Sequence, residues 1–100
     1  YLRVWDSQSN ELLGHIVDIH IDGFMLVSEQ PIELAKEFNL EIRWHPPEEE
    51  MQTISVRAIS RWSSNDVNPD FFDTGFQLLD APDEVLQPVQ EMIKQLGFGD

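Results

Sequence analysis

The sequence predicts a small all-β domain, a barrel or a sandwich, closed by one C-terminal helix. Apolar and polar residues alternate along most of the chain, which is typical of half-buried strands. Turn-forming residues separate the alternating runs, and helical spacing appears only near the C-terminus. Strands and helices therefore do not alternate as a parallel sheet would require. With 100 residues, 41% of them hydrophobic, the chain can build one core, so we expect a single domain over residues 1–100.

Three strands are expected in the first third of the chain. The stretch "YLRVWD" alternates apolar and polar residues, and the turn formers "SQSN" follow it. A long extended run, "ELLGHIVDIHID", comes next and is broken by Gly23. The apolar stretch "FMLVSE" then restarts a strand that ends before Pro31.

Three further strands follow, which brings the expected total to six over about residues 1–79. "LEIRWH" alternates, and the proline-stiffened connection "PPEEE" comes after it. "FFDTGFQLLD" is the last strand. The stretch "ISVRAISRW" is the strand between these two. Its alternation is expected to place four residues on one face: Ile54, Val56, Ala58 and Trp62.

The C-terminal segment has the spacing of a helix over about residues 82–96. Asp80 or Asp83 can cap its start and Gly97 can end it, whereas Pro88 implies a late start or a bend. We expect its apolar stripe to pack on the strands, with a partner-docking helix as the alternative. The stripe consists of Val85, Val89, Met92, Ile93 and Leu96.

Charge and composition exclude several classes of function. The net charge of −13, from 19 acidic and 6 basic residues, argues against nucleic acid and anionic membranes as partners. No apolar run approaches the roughly 20 residues that cross a bilayer. The absence of cysteine excludes disulfides and thiolate chemistry and is consistent with a cytoplasmic location. Because Tyr1 already lies inside an apolar pattern, we expect a segment of a longer protein.

The stretch "DIHIDG" carries the chain's most notable polar residues. In a regular strand Asp18, His20 and Asp22 share one face, and Ile19 and Ile21 share the other. Successive ligands on one face are then about 7 Å apart, from the rise of about 3.3 Å per residue, so a straight strand cannot chelate one metal ion with all three. In a regular strand His15 would face away from His20.

No motif of an enzyme is present. The chain has no nucleophile elbow and no glycine-rich phosphate loop. We therefore predict a non-enzymatic protein without a cofactor.

The same stretch resembles the DxSxxG element of PilZ domains, with Asp18 and Gly23 in place and His20 where the serine stands. The segments "LLGHIVDIHIDGFMLVSEQPI" and "TGFQLLD" are similar to the family's surroundings of that element. The resemblance implies a six-stranded antiparallel β-barrel that binds the bacterial messenger cyclic di-GMP. It also implies a ligand-binding set of Asp18, His20, Asp22, Gly23 and Arg3.

In PilZ domains a second motif, RxxxR, lies upstream and binds the phosphates of cyclic di-GMP. Because Arg3 is isolated, we treat this motif as absent from the segment and expect it upstream of Tyr1, unless it has been lost. The first alternative makes the domain a cyclic di-GMP receptor. The second makes it an adaptor that acts through a protein partner, with Trp5 and the Arg57–Arg61 pair as candidate contact residues.

Overall fold

The computed structural model describes residues 2–79 and 83–96, apart from the side chains of residues 83–86, 92 and 96. The described residues form six strands and one helix. These are β1 (Leu2–Asp6), β2 (Glu11–His20), β3 (Gly23–Ser28), β4 (Glu37–Trp44), β5 (Gln52–Ser64), β6 (Phe72–Leu79) and α1 (Asp83–Leu96).

The strands close into a barrel in the order β1-β2-β3-β6-β5-β4. Every neighbouring pair is antiparallel, including β1 with β4, which seals the barrel. Closure leaves no unpaired sheet edge among these strands. The prediction of an all-β, six-stranded antiparallel barrel with a C-terminal helix is confirmed, and the sandwich alternative is not.

The core lies inside the barrel and contains the inward-facing residue of each alternating pair. Leu40 and Ile42 on β4 are fully buried, as the alternation of that strand predicts. Phe76 joins the β3 and β4 sides of the core. Its ring stacks on Phe24 with centroids 5.1 Å apart and meets the edge of Phe38 at 5.8 Å.

The strand registers shift at three places, the first between Val4 and Trp5, and the other two correct two predictions. In β2 the register slips between Ile16 and Asp18, so His15 and His20 both lie on the outer face and not on opposite faces. In β5 the register slips between Ser60 and Trp62. The indole therefore lies outside the barrel, and the prediction that it shares the inner face with the buried β5 residues is wrong.

Helix α1 packs against β5 and β2. Val89 is completely buried in the core, and Ile93 packs against the core from its partly buried position. The helix runs through Pro88 from a start at Asp83, so of the two alternatives given for Pro88, a late start or a bend, the late start does not occur. The predicted packing of Val85, Met92 and Leu96, and the caps at Asp80 and Gly97, lie outside what the structure describes. Within the described ranges, no helix has the length and hydrophobicity of a membrane span.

Candidate functional site

The "DIHIDG" stretch forms the hairpin turn between β2 and β3. His20 pairs with Gly23, which leaves Ile21 and Asp22 as a two-residue loop. Neither loop residue has a positive φ, so the turn is not of the primed type that most two-residue hairpins use. The Leu78 N–H donates to the Asp22 carbonyl at 2.9 Å, which ties the turn to the end of β6.

The turn presents its polar side chains to solvent. Asp18 and His20 are exposed on the outer face, and Ile19 between them is 0% exposed, as predicted. Ile21, however, is 40% exposed and does not join Ile19 in the core. The strand ends at His20, so the predicted alternation stops there and Asp22 belongs to the turn and not to a row of three.

His20 performs the local hydrogen bonding that a serine can provide in such a turn. Its Nδ1 accepts the backbone N–H of Asp22, two residues on, at 3.3 Å. Serine, aspartate and asparagine side chains make the same i to i+2 bond in hairpin and loop turns. An accepting Nδ1 carries no proton, so the structure uses the tautomer with its hydrogen on Nε2.

Position 23 requires a glycine because the backbones of β3 and β6 approach each other closely there. A Cβ atom at this position would collide with the main-chain carbonyl of Phe76 on β6. Its φ does not lie in the left-handed region, so a positive φ is not the reason for glycine here. Close packing of β3 on β6 therefore explains the glycine.

An exposed tryptophan lies on the same outer face as the turn. The registers join Asp18, Met25, Gly75 and Trp62 into one cross-strand row over β2, β3, β6 and β5. The indole of Trp62 covers Gly75 where a side chain would otherwise stand, and it remains 47% exposed. An aromatic residue opposite a glycine is a recurrent cross-strand pair. That pairing, "W" against "TGF", is the signal in the sequence that could have placed Trp62 outside.

Two arginines have the RxxxR spacing, Arg57 and Arg61, so treating that spacing as absent from the segment is wrong. They lie on β5, however, and not ahead of β1. Arg57 pairs with Glu37. Arg61 donates through Nε to Gln77 at 2.8 Å, and Gln77 is the register partner of Gly23. The Arg61 side chain is therefore bonded to the β6 residue that pairs with Gly23, next to the turn.

The predicted site residue Arg3 lies away from the turn. It is opposite His15 on β2 and Arg43 on β4. The structure therefore brings together Asp18, His20 and the turn, and leaves Arg3 on an adjoining face. No group of three His, Cys, Asp or Glu side chains that could hold a metal ion occurs within the described part of the chain.

The comparisons with known proteins assign the family. A model of the PilZ domain matches residues 4–95, from the first strand into the last turn of the helix. The chain belongs to the PilZ domain family. This PilZ domain therefore belongs to a family of binding domains associated with cyclic di-GMP signalling. No curated protein and no solved structure gave a significant match.

Proposed function

We propose that this PilZ domain is a non-enzymatic cyclic di-GMP receptor whose ligand contacts the barrel at the Asp18–Gly23 turn. The observation that carries the proposal is the hydrogen bond from the Asp22 N–H to His20, because it keeps the turn in shape without the family's serine. Asp18 remains exposed beside it, and its carboxylate can accept from guanine N–H groups.

The two phosphates of the ligand require arginines in addition to this turn. Arginine forks bind phosphates in a bidentate manner, and each charged hydrogen bond contributes roughly 1.5–3 kcal/mol. Leu2 pairs with Ile16, so the N-terminal end of β1 points toward the Asp18 side of β2. An RxxxR motif preceding Tyr1 would therefore lie beside the turn. Receptor function in this proposal depends on such a motif.

The alternative is an adaptor that acts through a protein partner and does not bind the nucleotide. It is favoured by the surplus of acidic residues, because a net charge of −13 disfavours a dianionic ligand. Screening over about 8 Å at physiological salt limits that repulsion to nearby charges. A non-enzymatic, soluble role in the cytoplasm is proposed for both alternatives.

Titration calorimetry with cyclic di-GMP tests the proposal on the 100-residue chain and on a longer native form that includes the residues before Tyr1. We expect weak or no binding by the short chain and clear binding by a longer form with an arginine pair. Asp18→Asn should then weaken binding about 10- to 100-fold, from the loss of roughly 1.5–3 kcal/mol.

Asp66→Asn, on the exposed loop between β5 and β6, is the matched control because it changes the net charge equally. It should leave the affinity unchanged. Submicromolar binding by the short chain would refute the argument from arginines. Absence of binding by the longer form would favour the adaptor.

A further inference from the structure

A row of basic side chains crosses the outer face of β2, β1 and β4. Arg3 lies opposite His15 on one side and Arg43 on the other. Like charges directly opposite one another destabilise a strand pair. The chain has only 6 lysines and arginines against 19 acids, yet two of them adjoin here. Glu41 already compensates the charge of Arg43, whereas no carboxylate within the described residues pairs with Arg3.

The two arginines differ in how they are held. Arg43 donates to Oε1 of Glu41 at 2.8 and 3.2 Å, and its guanidinium lies 4.7 Å from the ring centroid of Trp5. It is therefore fixed in place before any ligand arrives. Arg3 is exposed and forms no ion pair with any residue that the structure describes.

A shallow hollow lies beside this pair. It has a volume of about 240 Å³, and its lining includes Arg3, Trp5, Arg43, His45 and Met51. Met51 is 55% exposed, so the hollow combines two guanidinium groups with accessible apolar surface. Sites for small molecules usually measure about 300–1,000 Å³, so this one suits a side chain or two from a larger partner.

We propose that the hollow binds an acidic side chain of a partner protein, with the carboxylate between Arg3 and Arg43 and an adjoining apolar side chain against Met51. Planar guanidinium groups match carboxylates in a bidentate geometry. A single carboxylate carries less negative charge than a polyphosphate and is repelled less by a chain with a net charge of −13. This surface is separate from the Asp18–Gly23 turn and does not require nucleotide binding.

The test is a nuclear magnetic resonance titration with the capped tripeptide acetyl-Leu-Asp-Leu-amide. The Trp5 indole N–H and the Arg43 Nε–H signals should shift and saturate in the millimolar range of peptide. The matched peptide acetyl-Leu-Asn-Leu-amide should bind at least tenfold more weakly. Arg3→Gln should weaken binding of the aspartyl peptide about tenfold without changing the fold, because the exposed Arg3 side chain forms no ion pair with any residue that the structure describes.

Lys94→Gln is the control, since it removes an exposed basic side chain from α1 and should leave peptide binding unchanged. Absence of saturable shifts, or equal shifts in the Arg3→Gln protein, would overturn the proposal. Equal affinity for inorganic phosphate and for the aspartyl peptide would also overturn it, because the hollow would then be a site for small anions and not for a partner side chain.

Discussion

Replacing Val89 with alanine tests whether helix α1 is part of the barrel core. Val89 is the helix side chain with 0% exposure, inside the core cluster. The substitution removes two methyl groups, worth about 1.6 kcal/mol of transfer free energy at about 0.8 each. A residual cavity of about 50 Å³ adds about 1 kcal/mol. The higher helix propensity of alanine offsets less than about 0.7 kcal/mol. The expected loss is therefore about 2 kcal/mol.

Urea unfolding followed by tryptophan fluorescence measures this loss. With an m-value of about 1 kcal/mol/M, the midpoint should fall by about 2 M, and the melting temperature should fall by about 8–16 °C. Gln90→Ala, one residue further along the helix and exposed, is the control and should change stability by less than about 0.5 kcal/mol. If Val89→Ala unfolded like that control, α1 would not belong to the cooperative core and would instead be a docking arm.

Four further substitutions, at three positions, test the turn and its neighbouring face. His20→Ser should keep the stability of the hairpin, because the serine hydroxyl can replace the histidine as acceptor for the Asp22 N–H. His20→Ala should lower the free energy of unfolding by about 0.5–1.5 kcal/mol, because alanine offers no acceptor. Equal melting curves for the two variants would contradict this role of His20. Gly23→Ala should cost about 1–3 kcal/mol in urea unfolding, since the new Cβ pushes against the Phe76 carbonyl, and an unchanged midpoint would refute the close approach. Trp62→Ala should speed amide hydrogen exchange at Gly75, whose backbone the indole covers; unchanged exchange would show that the ring does not shield it.

The strands could be predicted because each has a buried and a solvated face. Alternation in "LEIRWH" correctly placed Leu40 and Ile42 inside, since a period of two is imposed wherever one face of a sheet is buried. The bulges could not be predicted in this way. A bulge adds one residue to a strand without any change in composition. The apolar and polar residues therefore still alternate in the sequence, although the side chains beyond the bulge lie on the other face. Trp62 and His15 were placed on the wrong faces for this reason.

The proximity of the candidate site residues could be predicted from the sequence, but the contacts that each of them makes could not. The resemblance to PilZ domains grouped Asp18, His20 and Gly23, and the structure has them at the β2–β3 hairpin, on the strand ends that flank the turn. The roles of two of these residues depend on distances that residue types do not reveal. His20 accepts a backbone N–H, and Gly23 makes room for the carbonyl of Phe76. Arg3 was predicted to belong to the same ligand-binding set, but the register places it opposite Arg43.

The positions and ion pairs of the arginines distinguish the two proposed functions, receptor and adaptor. Arg43 and Arg57 are each ion-paired to a glutamate, which leaves Arg3 and Arg61 as the arginines without an ion pair among the described residues. These two lie on different strands to either side of the turn, β1 and β5, and neither belongs to an RxxxR motif ahead of the barrel. A ligand with two phosphates therefore depends on arginines beyond those described. A partner protein that contributes single carboxylates does not, because Arg3 and the fixed guanidinium of Arg43 already adjoin. The proposed adaptor function would use charges that this domain already carries, whereas the proposed receptor function is to be tested in a form that includes the motif.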